Sequence, residues 1–372
     1  MKTLIAAILT LTCLGCGGGS SGSSDTPPAG DPWQAVTAQI QASQAQFPGG
    51  LTVEVLTPQG VVFSRSFGGF SNQTYAAVAS ASKIVSATAL LRLVDQGTLN
   101  LDTRAAELLR DRQGQPWSGN MGQIRLRHLL SFTSGIHGDV AESEGSDITL
   151  AEAVARIYDD QRDTAAAPGA YFYYGSTHLR IAARMAELAT GKSWRQIFDE
   201  QLRLPLGWGL LSTYGGGSNP NPAGSLACTG VEYTRFLMMQ LRKGLDGDTR
   251  LVSEAAILQQ RQDGFGPTTA IAYTPYVLTG RINHYGFGAW VESGNGQAPS
   301  GSNPIQRVSS TGKFGWAPWI EVGSGQDWAA EIQCQQADAP ASFLPSENLK
   351  LALAPLVSAA LARNPPVVRS VP

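Results

Sequence analysis

The sequence predicts an α+β fold: an antiparallel β-sheet flanked by helices, formed from both chain ends, with an inserted all-α subdomain. Three observations predict it. Short β-rich runs occur near the start of the chain and again from about residue 285. The stretch between them, 98–284, shows periodic apolar faces broken by Gly/Pro loops. With 372 residues, 42% of them hydrophobic, the chain can also fill one large core.

The folded domain is expected over 33–362, with 33–97 and 285–362 as the sheet region and 98–284 as a mainly helical lobe. Trp33 to Phe47 reads as a helix, which Pro48-Gly49-Gly50 stops. "LTVEVL" and "VVFSRSF" flank "TPQG", the pattern of a hairpin. From Ser80 to Gln96, Ile84, Ala87, Leu90, Leu91 and Val94 recur at helical spacing, and Gly97 closes the run. "ITLAEAVARIYD", "STHLRIAARMAELATG", "WRQIFDEQLRLPLG" and "VEYTRFLMMQLRKG" are the helices of the lobe. "YGFGAWVE", "IQRVSS", "APWIEVG" and "WAAEIQCQ" are the returning strands. A last helix, "SENLKLALAPLVSAALA", takes Ser346 as its N-cap and ends before Asn364-Pro365-Pro366, leaving 363–372 as a tail.

Residues 1–15 read as a secretory signal: Lys2 supplies the charge and "LIAAILTLTCLG" a short apolar run. "CLGC" resembles the lipobox of bacterial lipoproteins, with Cys13 where that box usually has Leu. The resemblance implies cleavage after Gly15 and a lipid on Cys16. Residues 16–32, rich in Gly, Ser and Pro, then form a flexible tether. The protein is thus expected to be exported and lipid-anchored, at the periplasmic face of a bacterial membrane or at the cell surface. That anchor is the only membrane contact expected. A net charge of -2 gives no footprint for nucleic acid. His128, His137, His178 and His284 are scattered and form no HExxH, so no metal site is expected. An exported compartment permits Cys228 and Cys334 either to pair or to stay free.

Serine needs a base or a nearby cation before it attacks a carbonyl. "GGSSG" (18–22) fits GxSxG but lies in the tether, with no strand before it. The alternative template is S-x-x-K, which on a helix start puts serine and lysine on one face beside free N–H groups. "SASK" (80–83) and "STGK" (310–313) both match, but Gly312 argues against a helix at the second. Ser80 and Lys83 are therefore the catalytic candidates. Lys83 can act as a base only if its surroundings lower its pKa.

"VASASKIVSATALLRLVDQGTLNLD" resembles the nucleophile helix of the serine β-lactamase-related hydrolases, which include class C β-lactamases, DD-peptidases and related esterases. "LRHLLSFTSGI", "APGAYFYYGSTHLRIAARMAE", "PLGWG", "PAGSLACTGVEYTRFL", "HYGFGAW" and "STGKFGW" continue the likeness in order, over about 33–362. The resemblance implies Ser80 as nucleophile, Lys83 as general base, and Tyr174 as a proton carrier kept partly ionised by the lysine. Spacing from Pro168-Gly169 favours Tyr174 over Tyr171 and Tyr173. It also implies an oxyanion hole from the main-chain N–H groups of Ser80 and Lys313. Ser176, Ser310, Thr311 and Gly312 would contact substrate, Gly312 by letting it approach closely. Ser176 stands where the family has Asn, and Ser310 where it has a cation. Thr133, Ser134 and Gly135 read as a structural turn.

The implied reaction is cleavage of an ester or amide carbonyl in a small or peptide-like substrate, through an acyl-enzyme and without a cofactor. The two serine departures favour an esterase or amidase over a β-lactamase or DD-carboxypeptidase. They also leave open a non-catalytic binding or sensor protein on the same scaffold.

Overall fold

The computed structural model describes residues 30–323 and 325–363. The signal segment, Cys16, nearly all of the tether and the tail after Arg363 lie outside the described residues. The principal elements are α1 (Gln34–Ser43), β1 (Leu51–Thr57), β2 (Gly60–Phe67), α2 (Ser82–Asp95), α3 (Leu150–Gln161), α4 (Thr177–Thr190) and α5 (Gly230–Leu241). They continue with β3 (His284–Tyr285), β4 (Trp290–Ser293), β5 (Ile305–Ser309), β6 (Ala317–Glu321), β7 (Trp328–Gln333) and α6 (Leu344–Arg363).

The strands form one antiparallel sheet of order β3-β4-β5-β6-β7-β1-β2. The β1–β7 pairing, with Val53 opposite Ile332, joins the two chain ends as expected. Every residue of β1 is buried because both faces of the sheet are covered. On one face α1 and α6 pack Val36, Ile40, Leu349, Leu353 and Val357 onto Val53, Val55, Trp319 and Ile332. On the other face lie α2, α5 and the helical lobe, in one continuous core.

The lobe also carries short strands that hydropathy did not show. Ala76–Ala77, Leu226–Cys228 and Thr213–Tyr214 form a small sheet just before Ser80, and Tyr171–Tyr173 pairs with Ala270–Tyr273. Each is too short to give a period. The last helix starts two residues before Ser346, so this serine is a buried first-turn residue and not the cap. Its hydroxyl lies 3.7 Å from Cys334 Sγ. Cys228 and Cys334 are both free, buried thiols. Among the described residues no helix is long and apolar enough to cross a membrane.

Glu54 of β1 and Glu331 of β7 stand directly opposite each other, buried. Thr234 of α5 reaches both carboxyls, yet its hydroxyl has one proton to donate. Asn72 and Ser64 donate to Glu54 as well. Burial, and then the neighbouring Glu54, push the Glu331 carboxyl up to about 8. Its folded value lies above its unfolded one. The stability gained from the protonated form is therefore complete below about 4.5 and is lost as pH rises through 8. Glu331→Gln keeps the shape and removes the titration, so the fall in Tm between pH 5 and 9 is expected to flatten. Tm–pH curves that stay parallel in the two proteins would contradict this.

Candidate active site

Ser80 sits in a single 3₁₀ turn, Ala79–Ala81, immediately before α2, rather than in the α-helix itself. Ala79, the residue before it, adopts the left-handed region (φ 46°), which presents the serine at a sharp corner. Among the described residues, neither the Ser80 nor the Lys313 main-chain N–H has a hydrogen-bond acceptor. Both are available as oxyanion donors.

Lys83 projects from the first turn of α2, buried to 3% exposure. Its Nζ donates to Ser80 Oγ (2.9 Å) and to the Ala223 carbonyl (2.8 Å). It also lies 4.6 Å from the centre of the Tyr174 ring. Burial lowers the Lys83 amine to about 7, against a smaller opposing pull from Asp139. At neutral pH a large share of the amine is therefore unprotonated and able to accept the Ser80 proton.

Tyr174 shares the cavity wall with Ser80, has Lys83 Nζ over its ring and stacks on Trp290 at 4.8 Å. Its electrostatics differ from the expectation of a partly ionised phenol. Burial raises it well above the ordinary tyrosine range, and the neighbouring Ser80 hydroxyl offsets only part of that. Tyr174 stays protonated and can donate, so of the two groups it is the Lys83 amine that can accept a proton.

The remaining expected residues divide. Thr311 and Lys313 line the cavity beside Ser80, which measures about 320 Å³. Ser310 does not line it, because its hydroxyl donates to the Ser80 carbonyl (3.2 Å) and ties the end of β5 to the nucleophile turn. The close approach permitted by Gly312 is used inside the protein: a Cβ there would lie 2.1 Å from the Val78 carbonyl oxygen. Ser176 is displaced from the expected role. It caps the start of α4, where its N–H donates to Asp139 (2.6 Å), and it is absent from the cavity wall.

Several contributors had no sequence signal. The Ala223 carbonyl is a main-chain atom, so no residue type marks it. Asp139 accepts from Ser176 and Thr177 and holds the entry to α4. His178 stacks on Phe132 (4.7 Å) and bridges Ser134 Oγ (2.8 Å) and the Tyr173 carbonyl (2.9 Å). Burial lowers His178 to about 4, so it is neutral and positional: Nε2 donates to Tyr173 and Nδ1 accepts from Ser134. That bridge fixes the Thr133-Ser134-Gly135 turn against the strand Tyr171–Tyr173, which leads into Tyr174. His128 is likewise lowered to about 4, first by burial, and accepts the Arg125 N–H.

A larger cavity, about 590 Å³, is lined by Arg127, Ser131, Thr133, Gln259 and Asp263 among others. Its charged groups are already paired, Arg127 with Asp102 and Asp263 with His284. The nucleophile–base geometry therefore singles out the Ser80 cavity.

Comparison with known proteins agrees with that geometry. The model of the Beta-lactamase family matches residues 34–317, most of the chain. The chain belongs to the Beta-lactamase family. Within it, the chain is 30% identical over 217 residues to Penicillin-binding protein 4 of Amycolatopsis lactamdurans, covering 50% of this chain and 56% of that protein. It is 29% identical over 156 residues to a monacolin J acid methylbutanoyltransferase of Aspergillus terreus, covering 35% of this chain and 36% of that one. The chain thus spans about half, or less, of the length of these curated relatives. A Bacteroides dorei structure assigned as a beta-lactamase superposes with a TM-score of 0.71 at 26% identity, covering 88% of this chain and 98% of that chain. EstCE1, described as a hydrolase with promiscuous acyltransferase activity, shares the fold at a TM-score of 0.65 and 17% identity, covering 86% and 97%. Membership of this family supports serine-hydrolase-type chemistry in general.

Proposed function

We propose that the chain is an exported serine hydrolase, lipid-anchored through Cys16, that cleaves ester or amide bonds through an acyl-enzyme on Ser80. The observation that carries the reading is the 2.9 Å contact between Ser80 Oγ and a buried Lys83 amine lowered to about 7.

In acylation, Ser80 Oγ bonds to the carbonyl carbon and its proton passes to Lys83 Nζ. The carbonyl oxygen, now an anion, is held by the Ser80 and Lys313 N–H groups. As the tetrahedral centre collapses, the bond to the leaving oxygen or nitrogen breaks. The leaving atom takes a proton from Tyr174, and the Lys83 ammonium restores it. In deacylation, water bonds to the acyl carbon and gives its proton to Lys83. The Oγ–carbon bond breaks, the acid departs, and Ser80 regains its proton.

Intact-mass spectrometry after treatment with a fluorophosphonate, followed by peptide mapping, tests the reading. One adduct on Ser80 is expected, with a rate that rises with pH through about 7 and then levels, as Lys83 loses its proton. An adduct elsewhere, or none, overturns it. A second reading, a penicillin-acylated enzyme, draws on the likeness to Penicillin-binding protein 4. A stable penicillin adduct on Ser80 in the same experiment would favour it.

A further inference from the structure

The wall of the Ser80 cavity is aromatic. Tyr174, Tyr273, Tyr276, Trp290 and Phe343 line it, with Pro275 and Pro340 between them. Trp290 stacks on Tyr174 at 4.8 Å and meets Tyr276 edge-on at 4.6 Å, and Tyr276 meets Phe343 at 6.1 Å. Such a wall offers a flat apolar surface to another ring. An apolar cavity of about 150 Å³ accepts a benzene. At about 320 Å³, this one has room for a ring and the reacting carbonyl together.

The polar edge of the cavity is equally specific, because the Thr311 and Lys313 side chains there already have partners. The Thr311 hydroxyl donates to the buried Glu347 carboxylate. That carboxylate is fixed in turn: Lys350, fully buried, pairs with it at 2.9 Å and with Glu292 at 2.8 Å. The Lys313 ammonium turns outward to Asp338. Thr311 therefore shows the cavity only acceptor lone pairs, and a substrate carboxylate set against it meets neither the Thr311 proton nor the Lys313 ammonium.

We propose that the Ser80 cavity takes uncharged esters bearing an aryl group and rejects those with a carboxylate beside the scissile carbonyl. The proposal rests on Ser80 acting as the acylated serine. Its additional content is the choice of substrate, imposed by the aromatic wall and by the Thr311–Glu347–Lys350 chain. Lys350 and Glu347 are positioning residues here: they act through the orientation of the Thr311 hydroxyl.

The test is a three-ester comparison on the full protein, each rate divided by the ester's own hydroxide-catalysed rate. Methyl 3-phenylpropionate is expected to exceed methyl butyrate by about 10-fold or more in kcat/KM, the scale set by apolar pocket contacts. Monomethyl benzylmalonate, the same aryl ester with an added carboxylate, is expected to fall at least about 100-fold below it, as an anion facing lone pairs should. Phe343→Ala should shrink the aryl preference to about threefold while the Ser80 adduct still forms, with Phe343→Leu intermediate and better packed. Ester turnover without aryl preference, tolerance of the carboxylate, or an unchanged preference in Phe343→Ala overturns this proposal alone. Absence of both turnover and a Ser80 adduct overturns the serine-hydrolase reading beneath it.

Discussion

Ser80→Ala is expected to lower kcat/KM on a p-nitrophenyl ester by roughly 10⁵- to 10⁶-fold, the scale seen when a covalent nucleophile is removed. The fold should hardly register the change. Ser80 Oγ accepts from Lys83 Nζ, and Lys83 keeps its bond to the Ala223 carbonyl when that hydroxyl is removed. Tm should therefore stay within a few degrees of wild type, since small side-chain losses away from the packed core usually cost about 0.5 kcal/mol or less. Turnover that survives Ser80→Ala would mean that another group attacks the carbonyl.

Lys83→Met is expected to lower kcat/KM by roughly 10³- to 10⁴-fold, the upper range for a general base. It should also abolish the rise in acylation rate through pH 7. The stability effect has the opposite sign. The folded value of Lys83 lies well below its ordinary 10.5, so wild-type stability falls as pH drops from 10.5 to about 7 and remains low beneath that. Forcing a proton onto a buried amine shifted this far costs on the order of several kcal/mol. Methionine removes that cost and leaves the Ala223 carbonyl unsatisfied, which costs about 1–3 kcal/mol. The balance predicts a Tm at pH 6 equal to or above wild type in a nearly inactive protein. A matched loss of Tm and activity would make Lys83 a structural residue. Ser80→Ala combined with Lys83→Met should be no slower than Ser80→Ala alone, because the two act as one unit.

What was legible in the sequence is what covalent spacing encodes. A three-residue interval brings Ser80 and Lys83 together on any helical turn, and the structure does bring them together. The long periodic segments around Ile84, Val154 and Leu237 likewise became helices that bury their apolar faces. The same interval at Ser310 and Lys313 was a warning about pattern alone. There the chain leaves β5 and turns, sending one side chain to the Ser80 carbonyl and the other to Asp338. Burial was not legible. It is what keeps Tyr174 protonated, and it depends on Trp290 and Tyr285, more than a hundred residues away in sequence. The cavity wall was hidden for the same reason, since Tyr276 and Phe343 follow no period and meet only in the fold.

The Ala223 carbonyl has one more consequence. Every amino acid brings the same carbonyl to position 223, so a scan that replaces side chains one at a time would find Lys83 and pass over its anchor. The unpaired main-chain N–H groups of Ser80 and Lys313 share that property for every residue except proline. A substantial part of this site is therefore shielded from point mutation, and it would drift only if the loops that carry it changed length or course.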